Sequence, residues 1–367
     1  MKIKPALFCL FLLLFVSCGK DDDPIVTDPN DPPDEIAFLD ISLTTITFTS
    51  RKDASLVTVS TNKNWTATCS ADWITLSTYN GNTSTAFIIG ATENRKFGRE
   101  AIITISADNI TKEIKIVQSG VSFIKFEIKG VSFMLLPVEA DTAFYLDGET
   151  YLASRSVYLD SYFISETEIT NAQWEAVMGS LPYSAENSFP NFPVIVNWNT
   201  IHEEFLSKLN QLANYELRLP TENEWEVAAR GGIKSNNTSF AGSINEDEVA
   251  WYYQNSGGRK HNVARKKPNE LGLYDMSGNV SEWCSDWYEE WTEDNHPAAE
   301  SSNPTGPATG TEKLIRGGDF LGDRFEYDKN SSSVVSRNYL PPNIIETDFL
   351  YNGFYHFTGF RLVIAKN

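Results

Sequence analysis

From Ile36 to Gly120 apolar and polar residues alternate in short runs, and this period-two texture stops near Val121. Leu39, Ile41 and Leu43 fall on one side of such a run; Leu56–Val59 and Ile102–Ile105 alternate in the same way. Side chains of a strand point to opposite faces in turn, so the pattern describes half-buried strands. Asn62-Lys63-Asn64, Asn80-Gly81-Asn82 and Asp108-Asn109 punctuate the runs with turn residues. Short strands at this spacing predict an all-β sandwich over residues 36–120. From about Phe126 the texture becomes α+β, rich in irregular loops and in Trp, Tyr, Gly and Asn. A chain of 367 residues with nine Trp can bury two separate cores.

Three helices announce themselves in the second region. Thr170 followed by Gln173 and Thr221 followed by Glu224 have capping-box spacing. Thr200 followed by Glu203 has it too, ahead of an apolar face of Ile201, Phe205, Leu209 and Leu212. Gly231-Gly232 is expected to stop the third helix.

The N-terminus reads as an export signal. Lys2 and Lys4 precede an apolar stretch, Ala6–Val16, that is too short to span a bilayer as a helix. Phe15-Val16-Ser17-Cys18 resembles a lipoprotein signal box, which implies cleavage after residue 17, lipidation of Cys18 and attachment to a membrane through acyl chains. Gly19-Lys20-Asp21-Asp22-Asp23 resembles the acidic signal that sends Bacteroidetes lipoproteins to the cell surface, so an outer-membrane address is expected. Residues 18–35, with Pro24, Pro29, Pro32 and Pro33 among aspartates, read as an extended tether. The formal net charge of −19 disfavours nucleic acid and anionic membrane surfaces as partners and favours cations or neutral glycans. Beyond the signal, only Cys69 and Cys284 accompany Cys18, which excludes a disulfide framework.

Within the first region, Asn64-Trp65-Thr66-Ala67, Asp72-Trp73-Ile74-Thr75-Leu76, Arg99–Ile105 and Ile114–Gly120 follow in an order that resembles a BACON domain. That resemblance implies an Ig-like sandwich associated with carbohydrate-active proteins, acting as a spacer or a glycan-associated module. In the second region, residues 126–367, Glu166–Asn171, Phe192–Trp198, Arg218–Gly232, Pro268–Trp283, Arg316-Gly317-Gly318 and Gly359-Phe360-Arg361 occur in series. The series resembles the formylglycine-generating-enzyme (sulfatase-modifying factor) family, which implies a loop-rich, C-type-lectin-like α+β domain. The chain departs from the family at Gly130–Leu136, where a second glycine pair is missing. Read from the residues alone, Arg218, Arg230, Arg316 and Arg361 suit the role of struts that donate to loop carbonyls and carboxylates.

The resemblance also implies chemistry. Asp275, Gly278, Val280 and Glu282 match the family's Ca²⁺-wrapping loop, two carboxylates and two backbone carbonyls, and oxygen donors of this kind suit that ion. A second calcium site would fall near Val249, Ala250, Asn255 and Gly257, with Val249 in place of a side-chain donor. Active members hold Cu(I) on two cysteines after the Arg-Gly-Gly motif and oxidise a substrate cysteine with O₂; soft thiolates stabilise Cu(I). The resemblance puts the two matching positions near Gly322 and Tyr327, and no cysteine follows Cys284. Copper is therefore not expected, no catalytic residue is assigned, and the expectation is a non-enzymatic surface module, a pseudoenzyme. A formylglycine-generating oxidoreductase or another enzyme chemistry in the same cleft is the alternative. Residues 319–357 would present the recognition surface for a glycan or another surface protein, with Asp323, Tyr327, Tyr339, Tyr351, Tyr355 and His356 as its polar and aromatic groups.

Overall fold

The structure, a computed structural model of the chain, describes residues 36–94, 96–140, 142–146, 155–182, 189–290, 301–322, 330–344 and 357–366. The signal and tether, Cys18 included, lie outside the described residues. No helix among the described residues is long and apolar enough to cross a membrane.

The alternating region forms a two-sheet sandwich of nine strands: β1 (Leu39–Ile41), β2 (Thr45–Phe48), β3 (Asp53–Thr61), β4 (Trp65–Cys69), β5 (Ile74–Leu76), β6 (Asn80–Gly81), β7 (Thr85–Ala91), β8 (Arg99–Ala107) and β9 (Ile110–Gln118). One sheet has the order β1-β3-β7-β5 and the other β2-β9-β8-β4-β6. β1 and β2 are consecutive in the chain but join different sheets, and β2 lies parallel to β9. The inward set of each strand, including Val57, Val59, Ile89, Ile103, Ile105, Ile114 and Ile116, is fully buried. Trp65 is part of this core: its ring sits 5.5 Å from Phe87 and its indole N–H donates to the Thr83 carbonyl. The turn residue Gly81 lies over that indole, so closely that any Cβ there would strike the ring at 2.5 Å. Trp73 is half-buried under the Arg99 guanidinium, which stacks at 4.3 Å.

The second region opens with a hairpin, β10 (Ile124–Ile128) and β11 (Val131–Val138). Its two-residue turn has φ +49° at Lys129 and +81° at Gly130, the left-handed pair that matches strand twist. A regular turn therefore forms although the second glycine pair is absent. Further strands are β12 (Thr142–Leu146), β13 (Arg155–Leu159), β14 (Tyr162–Ser165), β15 (Leu217–Arg218), β16 (Ser281–Trp287), β17 (Ser301–Ser302), β18 (Lys313–Arg316), β19 (Asn338–Leu340), β20 (Thr358–Gly359) and β21 (Val363–Ala365). They assemble as β10-β11-β14-β21-β15, β12-β13-β17 and β19-β18-β16-β20. Placing β21 between β14 and β15 ties residues 363–365 to the early part of the domain.

Helix Asn171–Met178 starts at Thr170 with both bonds of the capping box, and helix Glu222–Ala229 starts at Thr221 in the same way. The middle helix corrects the sequence reading. Its first turn is Trp198–Thr200, capped by the Asn197 side chain, which accepts from Thr200 N at 2.8 Å. Thr200 is already helical and caps nothing; a π turn, Ile201–Phe205, follows and leads into Leu206–Ala213. Asn197 takes the start because its side chain accepts from Thr200 N, which puts the first turn three residues before the expected cap. The Trp174 ring stacks on Phe205 at 4.9 Å, and both meet Phe360 edge-on.

The two domains are docked. Phe97, on a loop of the sandwich, packs against the second domain's core with its ring 4.4 Å from that of buried Phe163. The connection is short and clipped: Val121 N donates to the Lys96 carbonyl, and the Asn94 amide donates to the carbonyls of Phe97 and Ser119. Phe97→Ala should remove this anchor at a cost of about 2–3 kcal/mol. Calorimetry of the full chain should then show the two domains melting further apart; an unchanged profile would mean that the contact carries no coupling.

Candidate functional site

Helix Glu222–Ala229 is buried along its whole length although it carries three glutamates. Each one is answered by arginine. Glu224 receives Arg218 through both guanidinium ends, at 2.6 and 2.7 Å, and also accepts from Thr221 N at 2.9 Å. Glu222 receives Arg316 at 3.1 Å and Arg337 at 2.6 Å. Glu226 receives Arg316 and Arg230, both at 2.9 Å. Arg316 also donates to the Val334 carbonyl at 2.7 Å. These arginines thus act as struts between helix, strand and loop.

The helix also carries Trp225, whose indole N–H donates to Glu282 at 2.7 Å. Glu282 is fully buried and meets Arg361 through two bonds of 2.6 Å. Arg361 continues to the carbonyls of Ser165 and Tyr274, each at 2.9 Å. Around this pair runs the loop of residues 275–280. Asp275, Gly278 and Asn279 adopt left-handed φ of +55°, +75° and +65°. Gly278 N donates to the Gly317 carbonyl of the Arg-Gly-Gly turn at 2.7 Å, and Asn279 N to the Trp251 carbonyl at 2.8 Å. A side chain at residue 278 would collide with the Trp251 backbone, so only glycine fits. Glu168 holds the loop from the opposite side, accepting from the Asn279 amide at 2.7 Å and from Val280 N at 3.0 Å.

Glu168, Asp275 and Glu282 are therefore buried together around Arg361. Burial, with Asp275 and Glu282 as neighbours, pushes the Glu168 carboxyl well above its ordinary range. Burial raises Asp275 to about 6. Asp275 Oδ2 accepts from Ala264 N at 2.7 Å, while its buried Oδ1 has no hydrogen-bond partner among the described residues. The spare Asp275 oxygen is a donor of the type that a hard cation takes. Arg361 already engages Glu282, and no group of three His, Cys, Asp or Glu side chains converges among the described residues. Backbone carbonyls of the loop would have to complete any coordination, as the set Asp275, Gly278, Val280 and Glu282 supposes. Glu168 was not singled out in the sequence; its bonds to the loop cross more than a hundred residues, and no local spacing marks it. At the second expected site, the Asn255 amide donates to the Ala250 carbonyl at 3.0 Å and to Asp247 at 3.1 Å, occupying acceptors that a cation would need.

Near the place where the resemblance puts a copper cysteine, Gly322 N donates to the Asp319 carbonyl and Gly322 O accepts from Tyr253 N. A Cβ at residue 322 would run into the Ser331 hydroxyl. Residue 322 thus offers no sulfur, and a side chain there would require the Ser331 hydroxyl to turn away. Cys284 is fully buried, and burial raises its thiol well above the ordinary value. Of the expected recognition surface, Tyr339 is described: its ring stacks on Tyr288 at 4.0 Å. Asp323, Tyr327, Tyr351, Tyr355 and His356 lie outside the described residues.

With the geometry in view, comparison with known proteins is decisive about kinship. The model of the sulfatase-modifying factor enzyme 1-like domain matches residues 137–366, and the BACON model matches residues 63–119. The chain belongs to the sulfatase-modifying factor enzyme 1-like family. Among curated relatives of this sulfatase-modifying-factor chain is a chaperone protein LppX of Paenibacillus barcinonensis, 34% identical over 41% of this chain and 72% of that protein. A formylglycine-generating enzyme of Thermomonospora curvata is 33% identical, but the match spans 42% of this chain and about half, 52%, of the enzyme. Among solved structures, Treponema denticola variable protein 1 aligns with TM-score 0.57 and 28% identity, over 67% of this chain and 99% of its own. PvdO from Pseudomonas aeruginosa shares the fold at TM-score 0.50 and 19% identity, over 66% of this chain and 98% of its own.

One titration in the sulfatase-modifying-factor domain offers a direct check of these buried contacts. Asp286 accepts from Glu222 N and from the Ser285 hydroxyl, both at 3.0 Å. Burial, and then the charge of Glu222, raises it to about 7 from an ordinary 3.8. The fold thus holds Asp286 protonated at pH values where the unfolded chain ionises it. The stability this gives is present below pH 4 and is lost as pH rises through 7. Asp286→Asn cannot ionise, so urea melts should favour the variant over the wild type more at pH 8 than at pH 5. The difference should be on the order of 2–4 kcal/mol. An offset that does not change with pH would contradict the assignment.

Proposed function

We propose that this chain is a surface-anchored lipoprotein whose sulfatase-modifying-factor domain is a non-catalytic, calcium-stabilised binding module, with the BACON domain as spacer or glycan-associated module. The observation that carries the reading is Gly322, packed under Ser331 where a copper thiolate would be needed, in a chain with no cysteine after Cys284. Oxygen and aromatic groups do not replace a thiolate pair for Cu(I). The family's loop geometry is meanwhile kept, down to the glycine at 278 and the left-handed turn around Asp275. A scaffold retained without its reactive groups suits presentation of loops to a partner. Export and lipidation at Cys18 would place the module at an outer-membrane surface, on an acidic tether that holds it off the bilayer.

Purified full chain, incubated with Cu(I), O₂ and a sulfatase-type cysteine peptide, should leave the peptide unmodified by mass spectrometry. Conversion of the cysteine to formylglycine would establish the oxidase instead. In the same preparation, millimolar Ca²⁺ should raise the melting temperature by several degrees, since a ligand bound only to the folded state stabilises it by mass action. Asp275→Asn should remove most of that shift.

A further inference from the structure

A cavity of about 310 Å³ opens beside the start of helix Glu222–Ala229, and its lining includes none of residues 275–282 or 319–357. Its walls are the β13–β14 turn, Arg218 with Glu224, the Asn303–Thr305 segment and Lys366 after β21. The wall at Asn303 is rigidly set. Asp160 N donates to Asn303 Oδ1 and the Asn303 amide returns to Asp160 Oδ2, both at 2.9 Å, while Asn303 N donates to the Tyr158 carbonyl.

Arg218 defines what the cavity can hold. Its Nη1 donates to the Leu219 carbonyl at 3.0 Å and to Glu224 at 2.6 Å, and its Nη2 donates to Glu224 at 2.7 Å. This end-on use of the guanidinium leaves Nε–H and the second Nη2–H, two parallel donors along one side, without a partner among the described residues. The side chain keeps 40% of its surface exposed, whereas Glu224 is 10% exposed and already accepts three bonds. Two parallel N–H groups match the two oxygens of a planar carboxylate. Glu224 and Asp160 balance Arg218 and Lys366, so the lining is neutral overall and the two-donor edge of Arg218 is the feature that selects a carboxylate. Ser161, Thr221, Ser285 and Thr305 line the same space; the Ser161 and Thr221 hydroxyl oxygens accept from Ala140 N and Glu224 N, and the Ser285 hydroxyl donates to Asp286. A volume of this size is at the lower end for small-molecule sites.

We propose that this cavity binds a hydroxylated carboxylate of about the size of a hexuronic acid. The carboxylate sits on the Nε–Nη2 side of Arg218, and the hydroxyls face the Ser/Thr border. This site is separate from the loop surface of the module reading and does not rest on it. Isothermal titration of the full chain with glucuronate, galacturonate, glucose and inorganic sulfate tests it. A hexuronate should bind saturably, at least tenfold more tightly than glucose. Arg218→Lys, which keeps the charge but loses the two-donor edge, should weaken it at least tenfold, and Thr305→Trp, which fills the space, should abolish it. Because Arg218 also braces the helix start, melting curves accompany both variants; if Arg218→Lys unfolds, Thr305→Trp decides alone. No saturable hexuronate binding, sulfate binding without hexuronate binding, or hexuronate binding untouched by Thr305→Trp would overturn the proposal. Such a failure, with the cysteine peptide still unmodified, would remove this site and leave the module reading standing.

Discussion

The pair of Arg361 and Glu282 is the joint on which the second domain depends. Neither side chain reaches solvent, and the two bonds between them are 2.6 Å long. Through them are joined the segment before β21, the Ser165 end of β14, the loop at Tyr274 and the helix that carries Trp225. A fold with this much irregular backbone has many carbonyls that no sheet or helix satisfies, and an arginine with five N–H donors can answer several at once. Burying such a pair brings little net stability, because both ions lose their water, yet removing one partner strands the other and costs about 3–5 kcal/mol. Its effect is to fix which loops sit together. Arg316, with Glu222, Glu226 and the Val334 carbonyl, repeats the device one layer away.

That arrangement explains why the family likeness is strong. The recurring motifs, from Arg218-Leu219-Pro220 to Gly359-Phe360-Arg361, are the struts, caps and glycines that hold the loops in place. They persist here together with their contacts. The copper position is a separate matter, set by a side chain after the Arg-Gly-Gly turn, and here glycine occupies it with Ser331 against it. The sandwich adds a further contact: Phe97 packs its ring against Phe163 of the second domain's core.

Much of this was legible in the residues. Alternation over 36–120 foretold the sandwich because a strand has one period and one buried face. Thr170 and Thr221 foretold two helix starts because capping is local chemistry. The third start misled, since Asn197, three residues upstream, caps the helix by accepting from the amide of Thr200 itself. Long-range partnerships were the hidden part. Glu168 reaches Asn279, and the free edge of Arg218 emerges only once Glu224 has taken the other side. Neither has a sequence spacing that would reveal it. The Asn94–Phe97 latch was equally silent, because a phenylalanine in a turn-rich loop has the same pattern whether it meets solvent or a second domain.

The central claim is that this scaffold has no place for a soft metal. Titration of Cu(I) into the full chain against a competing chelator measures that most directly. The account predicts no stoichiometric site and only weak, non-saturating uptake. One tightly bound copper per chain, located by X-ray absorption next to the Arg316-Gly317-Gly318 turn, would contradict it.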